Sequence, residues 1–198
     1  SIDLDGPEFR RPPDVISRQI DEHDVLGTLL GIFEEFLFET LVVGLIAYVS
    51  VALFYSVFDV LAARGVLFTV DLLGRALFKG LRDPAVLMFS IERDATAIFM
   101  YSAFHLAVSL VIGLVVTSLV EQAERHPSQA LLVLLMILAG GVLTVFGVAY
   151  LTEPMRPVLP WWSIVVANAL AALLAALYLR RRRPGLWQRL GPMALLHR

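Results

Sequence analysis

The sequence predicts an all-α protein: an integral membrane bundle of four transmembrane helices, with a surface-lying amphipathic helix between the first and second spans. Three observations predict it. Hydrophobic residues make up 58% of the 198 and charged residues only 17%, with a mean hydropathy of +0.76, whereas soluble domains carry roughly 25% charge. The charges are sorted into blocks separated by long uncharged runs. Four of those runs are of the length, roughly 20 helical residues, that crosses a hydrocarbon core of about 30 Å. Each must be helical, because a lone strand in lipid leaves its N–H and C=O groups unpaired. A β-barrel would show short alternating segments instead.

Residues 1–36 form an acidic tail leading into an interfacial helix. Residues 1–39 hold ten acids against Arg10, Arg11 and Arg18, a net of −7. The first 24 residues lack the basic and apolar regions of a cleavable signal. Pro12 and Pro13 ahead of Asp14 mark a helix start, with Asp14 placed to cap it. From Val25, the residues Leu26, Leu29, Leu30 and Phe33 recur at helical spacing and run into the first span.

The first span is placed at 37–63, its uncharged part running from Thr40 to Phe58 between Glu39 and Asp59. Residues 64–94 form an amphipathic interfacial loop. Within it Val66, Val70, Leu73, Leu77 and Leu81 fall on one helical face, with Asp71, Arg75, Lys79 and Arg82 on another. That segment is too short and too charged to span, so it is expected to lie flat at the membrane surface or to receive a partner helix. The second span is placed at 95–120, with His105 its only ionisable side chain, and the third at 130–152, with none.

Glu153-Pro-Met-Arg-Pro157 allows only an antiparallel hairpin, stiffened by Pro154, Pro157 and Pro160. The fourth span, 158–179, opens with Trp161 and Trp162 at the depth of an aromatic belt. The basic C-terminal tail, 180–198, holds six arginines and no acid; Leu186, Trp187, Leu190, Leu195 and Leu196 suggest a second surface-lying piece.

Lys and Arg set the expected orientation. Both tails and the 121–129 loop carry ten basic residues, against six in the 59–94 and 153–157 loops. Both termini are therefore expected to be cytoplasmic, in a bacterial inner membrane; fifteen arginines against the single Lys79 suggest a GC-rich coding genome.

An intramembrane polar cluster is the main chemical candidate. Tyr101, His105 and Ser109 are four apart, Gly113 and Thr117 continue the row, and antiparallel threading brings Asn168 to a similar depth. His105 would serve proton relay, solute coordination, or ligation of a haem or chlorophyll-type pigment. It would serve equally as hydrogen-bonded packing between helices. No cofactor is specified by any motif. Glu35 and Glu39 read as a solvated acidic helix entrance, and Asp59, Glu92 and Asp94 as exposed partners of Arg64 or Arg93, of little energetic value.

Small side chains one turn apart supply the candidates for helix packing: Ala52 and Ser56 on the first span; Gly140, Thr144 and Gly147 on the third; Ala167, Ala171 and Ala175 on the fourth. They either hold the four helices together or present a face to another subunit. The chain has no cysteine, which excludes disulfides, thiolate catalysis and Cys-ligated metals. No phosphate-binding glycine loop, metalloprotease helix or nucleophile elbow is present. No catalytic residue and no metal ligand set is therefore expected. The expected role is a non-catalytic accessory or structural subunit of a larger membrane complex, one that transduces energy for instance. The alternatives are an oligomeric channel or transporter with a polar path around His105, and cofactor or pigment ligation through His105. Membrane lipids and other membrane subunits are the expected partners; Arg180–Arg183 directly after a span reads as a topology anchor, so nucleic acid is not expected.

Overall fold

The structure is a computed structural model and describes residues 14–80, 83 and 92–185, side chains of 14–24 excepted. The C-terminal surface piece, the tail before residue 14 and the positions of Leu81 and Arg82 lie outside the described residues. The elements in order are α1 (Asp14–Leu61), α2 (Phe68–Phe78), α3 (Ala95–Arg125), α4 (Ala130–Leu151) and α5 (Trp161–Arg182). Short 3-10 turns at Pro127–Gln129 and Glu153–Met155 precede α4 and lead towards α5. Among the described residues, four helices are long and apolar enough to cross a membrane.

The chain divides into two compact units, Ser1–Phe38 and Glu39–Arg198. In the first, the described residues are helical from Asp14, the position marked by the two prolines. Its Val25, Leu26, Leu29, Leu30 and Phe33 are all exposed.

The second unit is the bundle. Glu39 at the beginning of its α1 portion meets Arg183, just past the end of α5, and Arg183 meets Glu124 near the end of α3. At the opposite end, Arg64 reaches Val158 and Tyr55 reaches Ser163. The spans therefore alternate in direction, as the loop lengths require. Two apolar clusters fill the interior. One joins Tyr55, Leu72, Ala76, Met155, Leu159 and Ile164; the other joins Val43, Val120, Ala123, Ala130, Val133 and Leu179.

Helix α2 buries one face against the bundle and leaves another exposed. Thr69, Leu72, Gly74 and Ala76 are buried, while Val66 and Leu77 are exposed. The cause is Gly74. A Cβ there would collide with the backbone of Ala97, so α2 lies directly on the first turn of α3. The docked face thus combines small residues, Thr69, Gly74 and Ala76, with Leu72. Polar links hold it there: Lys79 pairs with Asp94, the Arg75 guanidinium donates to the Glu92 carbonyl, and the backbone N–H of Asp94 donates to Asp71 (3.3 Å). Asp94 also caps α3, accepting from the N–H groups of Thr96 and Ala97 at 3.1 Å each.

The proline-rich connection is built inward. Met155 and Leu159 are buried, and the N–H of Leu159 donates to the Met155 carbonyl at 2.7 Å. Trp162 meets Phe58 edge-on at 5.7 Å between ring centroids.

Candidate functional site

Helices α1, α2 and α3 enclose a crevice of about 30 Å³ with a polar lining of Tyr48, Tyr55, Thr69, Tyr101, Ser102 and His105. On the scale where one water needs about 10–15 Å³, it has room for about two or three. The His105 ring packs against Tyr48 at 5.2 Å and Tyr101 at 5.8 Å between centroids. Among the described residues, none forms a hydrogen bond to the imidazole of His105, the phenol groups of Tyr48 and Tyr101, or the hydroxyl of Ser102. A macrocycle has no room inside this crevice, so a pigment on His105 would have to lie outside it. No group of three His, Asp or Glu able to hold a metal occurs among the described residues.

The sequence-derived cluster is only partly assembled. Tyr101 and His105 share the crevice; Tyr48, set at the same depth by the antiparallel threading, joins them. Ser109 is buried one turn further along α3. Asn168 is not in the crevice lining, and its side-chain amide donates to the Ile164 carbonyl of its own helix at 2.8 Å.

Below Ser109 the backbones of α1 and α3 touch. A Cβ on Gly113 would stand 2.7 Å from both the nitrogen of Gly44 and the carbonyl oxygen of Thr40; one on Gly44 would stand 2.9 Å from the Cα of Leu110. The row Ser109–Gly113–Thr117, buried throughout, is thus a packing seam. Beyond this contact, the hydroxyls of Thr40, Thr117 and Tyr178 are buried without a hydrogen-bond partner among the described residues.

One wall of the crevice leads to a buried carboxylate that the sequence reading misplaced. Asp59 is not an exposed interfacial acid; its relative exposure is 0%. It accepts from the Thr69 N–H at 2.7 Å, the Thr69 hydroxyl at 2.8 Å and the Arg64 guanidinium at 3.2 Å. Arg64 also donates to the Val158 carbonyl at 2.7 Å and lies over the rings of Phe58 (5.0 Å) and Phe68 (4.7 Å). The turn that brings Arg64 round has Ala63 at φ 55° and Gly65 at φ 82°, left-handed conformations that end helices. Asp59 is buried because helix end, turn and α2 all close over it.

Glu39 needs a similar correction. It is 3% exposed and accepts a forked pair of bonds from Arg183, whose other arm reaches Glu124. The bonds to Glu39, assisted by those to Glu124, raise the affinity of Arg183 for its proton above the ordinary arginine value. Asp94 pairs with Lys79 and not with Arg64 or Arg93. The Lys79 ammonium and then the Ala97 N–H hold its carboxyl below the usual carboxylate range.

The packing candidates divide. Ala167 and Ala171 are buried, Ala175 packs against the second apolar cluster, and Ala52 lines the crevice with Ser56 half-buried nearby on the same helix. On α4, by contrast, a Cβ added at Gly140, Gly141 or Gly147 would meet nothing within 4 Å. The Thr144 hydroxyl turns back to the Gly140 carbonyl at 2.8 Å. This row does not join the four helices to one another.

No protein-family model, curated protein or solved structure matches this chain.

Proposed function

We propose that this chain is a non-catalytic subunit of a larger membrane protein assembly, inserted through four spans and joined to its partner along α4. One observation carries the reading. Gly44, Gly74 and Gly113 each permit a backbone contact within the molecule, whereas Gly140, Gly141 and Gly147 permit none. A glycine inside a helix costs about 1 kcal/mol relative to alanine. Three such costs on one open face make sense where another helix approaches closely, since small residues and dispersion hold helices together in lipid. Exposed leucines alone would say nothing, because lipid covers them without penalty.

The orientation follows the positive-inside bias, with both termini cytoplasmic in a bacterial-type inner membrane. Arg180, Arg181 and Arg182 in the last turn of α5 are its strongest support. The Asp59 end then faces outward, with α2 at that interface and Val66 and Leu77 in contact with the lipid boundary.

Purification of the native protein in mild detergent tests the reading. A distinct membrane protein in fixed stoichiometry is expected, lost on Gly140→Leu with Gly147→Leu while the fold survives. A lone chain, or a complex indifferent to both substitutions, sinks it.

A further inference from the structure

We propose that the outward face of α5 is a binding site for one anionic phospholipid, its phosphate held by Arg180 and Arg181 and its acyl chains laid along Leu177, Leu173 and Leu170. The site presupposes membrane insertion and needs no partner on α4. A division among the arginines points to it. Arg64, Arg75, Arg125, Arg156 and Arg183 each have a carboxylate partner. Arg180 and Arg181, in the last turn of α5, are exposed and have neither an ion pair nor a hydrogen bond among the described residues.

The face on which these two stand is shaped for a lipid. Trp162, Val166, Leu170, Leu173 and Leu177 recur at spacings of three and four, which makes them one stripe, and Arg180 and Arg181 continue it by one turn. All five are exposed, while Ile164, Ala167 and Ala171 on the other side of the helix are buried in the bundle. From Trp162 to Arg180 is eighteen residues, about 27 Å of helix, against a hydrocarbon core of about 30 Å. An aromatic residue thus stands at one boundary and two unspent cations at the other. From Arg180 back to Leu170 is ten residues, about 15 Å, the depth of one leaflet.

Charge decides which lipid fits. Each guanidinium presents five N–H donors, and a phosphate takes them in parallel pairs. The carbonyl end of α5 favours positive charge here but leaves those donors unspent. Glu39 and Glu124 are taken by Arg183, and Glu121 by Arg125, so no carboxylate answers Arg180 and Arg181. A zwitterionic headgroup brings its own cation towards that pair, whereas an anionic one does not.

Native mass spectrometry of the full chain in mild detergent, with equimolar phosphatidylglycerol and phosphatidylcholine, tests the site. Phosphatidylglycerol should be retained at least about tenfold over phosphatidylcholine, because two cations face one net negative charge. Glycerol 3-phosphate, which has the phosphate without the chains, should not displace it. Arg180→Gln with Arg181→Gln should bring the ratio close to one while keeping the parent's unfolding midpoint in phosphatidylcholine, since neither side chain touches the bundle. Arg125→Gln, which removes a paired charge at the same end, should leave the ratio unchanged. No preference in the parent chain, a preference that survives the double variant, an equal loss in Arg125→Gln, or displacement by glycerol 3-phosphate would overturn the proposal. A chain that stays monodisperse in buffer without detergent would remove membrane insertion itself, and the site with it.

Discussion

Helix α1 carries a buried carboxylate at each end of its bundle portion, and the two are neutralised in opposite ways. Asp59 is satisfied locally. Arg64 follows it by five residues and Thr69 by ten, and the turn between them wraps the carboxylate on the spot. Glu39 is satisfied at long range, by an arginine 144 residues away that also holds Glu124. Twenty residues, about 30 Å of helix, separate the two acids. The outer node organises a turn, whereas the inner one ties the beginning of the bundle to its end. One fixes local geometry and the other fixes topology.

Removing the acid at the local node should have the largest effect. Asp59→Ala strands Arg64 and both donors of Thr69 in a buried site, and a broken buried pair costs about 3–5 kcal/mol. Thermal unfolding in detergent should show the loss; an unchanged midpoint would mean that the node is open to water. Arg183→Ala should follow at about 3 kcal/mol, at the lower end of that range, because its side chain keeps 18% exposure. Replacing Arg183, Glu39 and Glu124 together by apolar residues should recover much of that loss, as buried charges replaced by packed apolar groups often do. No recovery would show that the charges specify the arrangement of the helices.

The glycine seams come next. Gly113→Ala forces apart two touching backbones and should cost about 1–3 kcal/mol. Gly140→Ala should leave the purified chain as stable or up to about 1 kcal/mol more so. Equal costs would remove the distinction between closed and open glycines. The smallest effect concerns pH. Asp94 titrates below its ordinary 3.8 in the folded chain, so its stabilisation is full above that value and is lost as pH falls through the depressed one. The gap in unfolding temperature between the parent chain and Asp94→Asn should therefore be constant near neutrality and narrow as the pH falls below 3.8.

Span count and the hairpin at Pro154 and Pro157 were legible in the sequence because both are local: uncharged length and missing N–H groups need no tertiary partner. The pairing of Glu39 with Arg183 was not, since charges so far apart in the chain leave no periodic trace. Asp59 looked exposed because it borders an apolar run, yet Thr69, ten residues on, supplies two donors. The docked face of α2 was not legible for a related reason. Periodicity weights Val66, Val70, Leu73 and Leu77, but close approach at Gly74 selects Thr69, Leu72 and Ala76. At the candidate site, His105 and Tyr101 were found from their spacing on α3, while Asn168 was lost because a helical asparagine can satisfy itself on the preceding turn.

The crossing at Gly44 and Gly113 has a mechanical consequence. Two rods that touch at one point with no side chain between them have a fulcrum there. Any splaying on the Asp59 side must lever the opposite arms together, towards the cage of Glu39, Arg183 and Glu124. A single methyl group added at that pivot would blunt it.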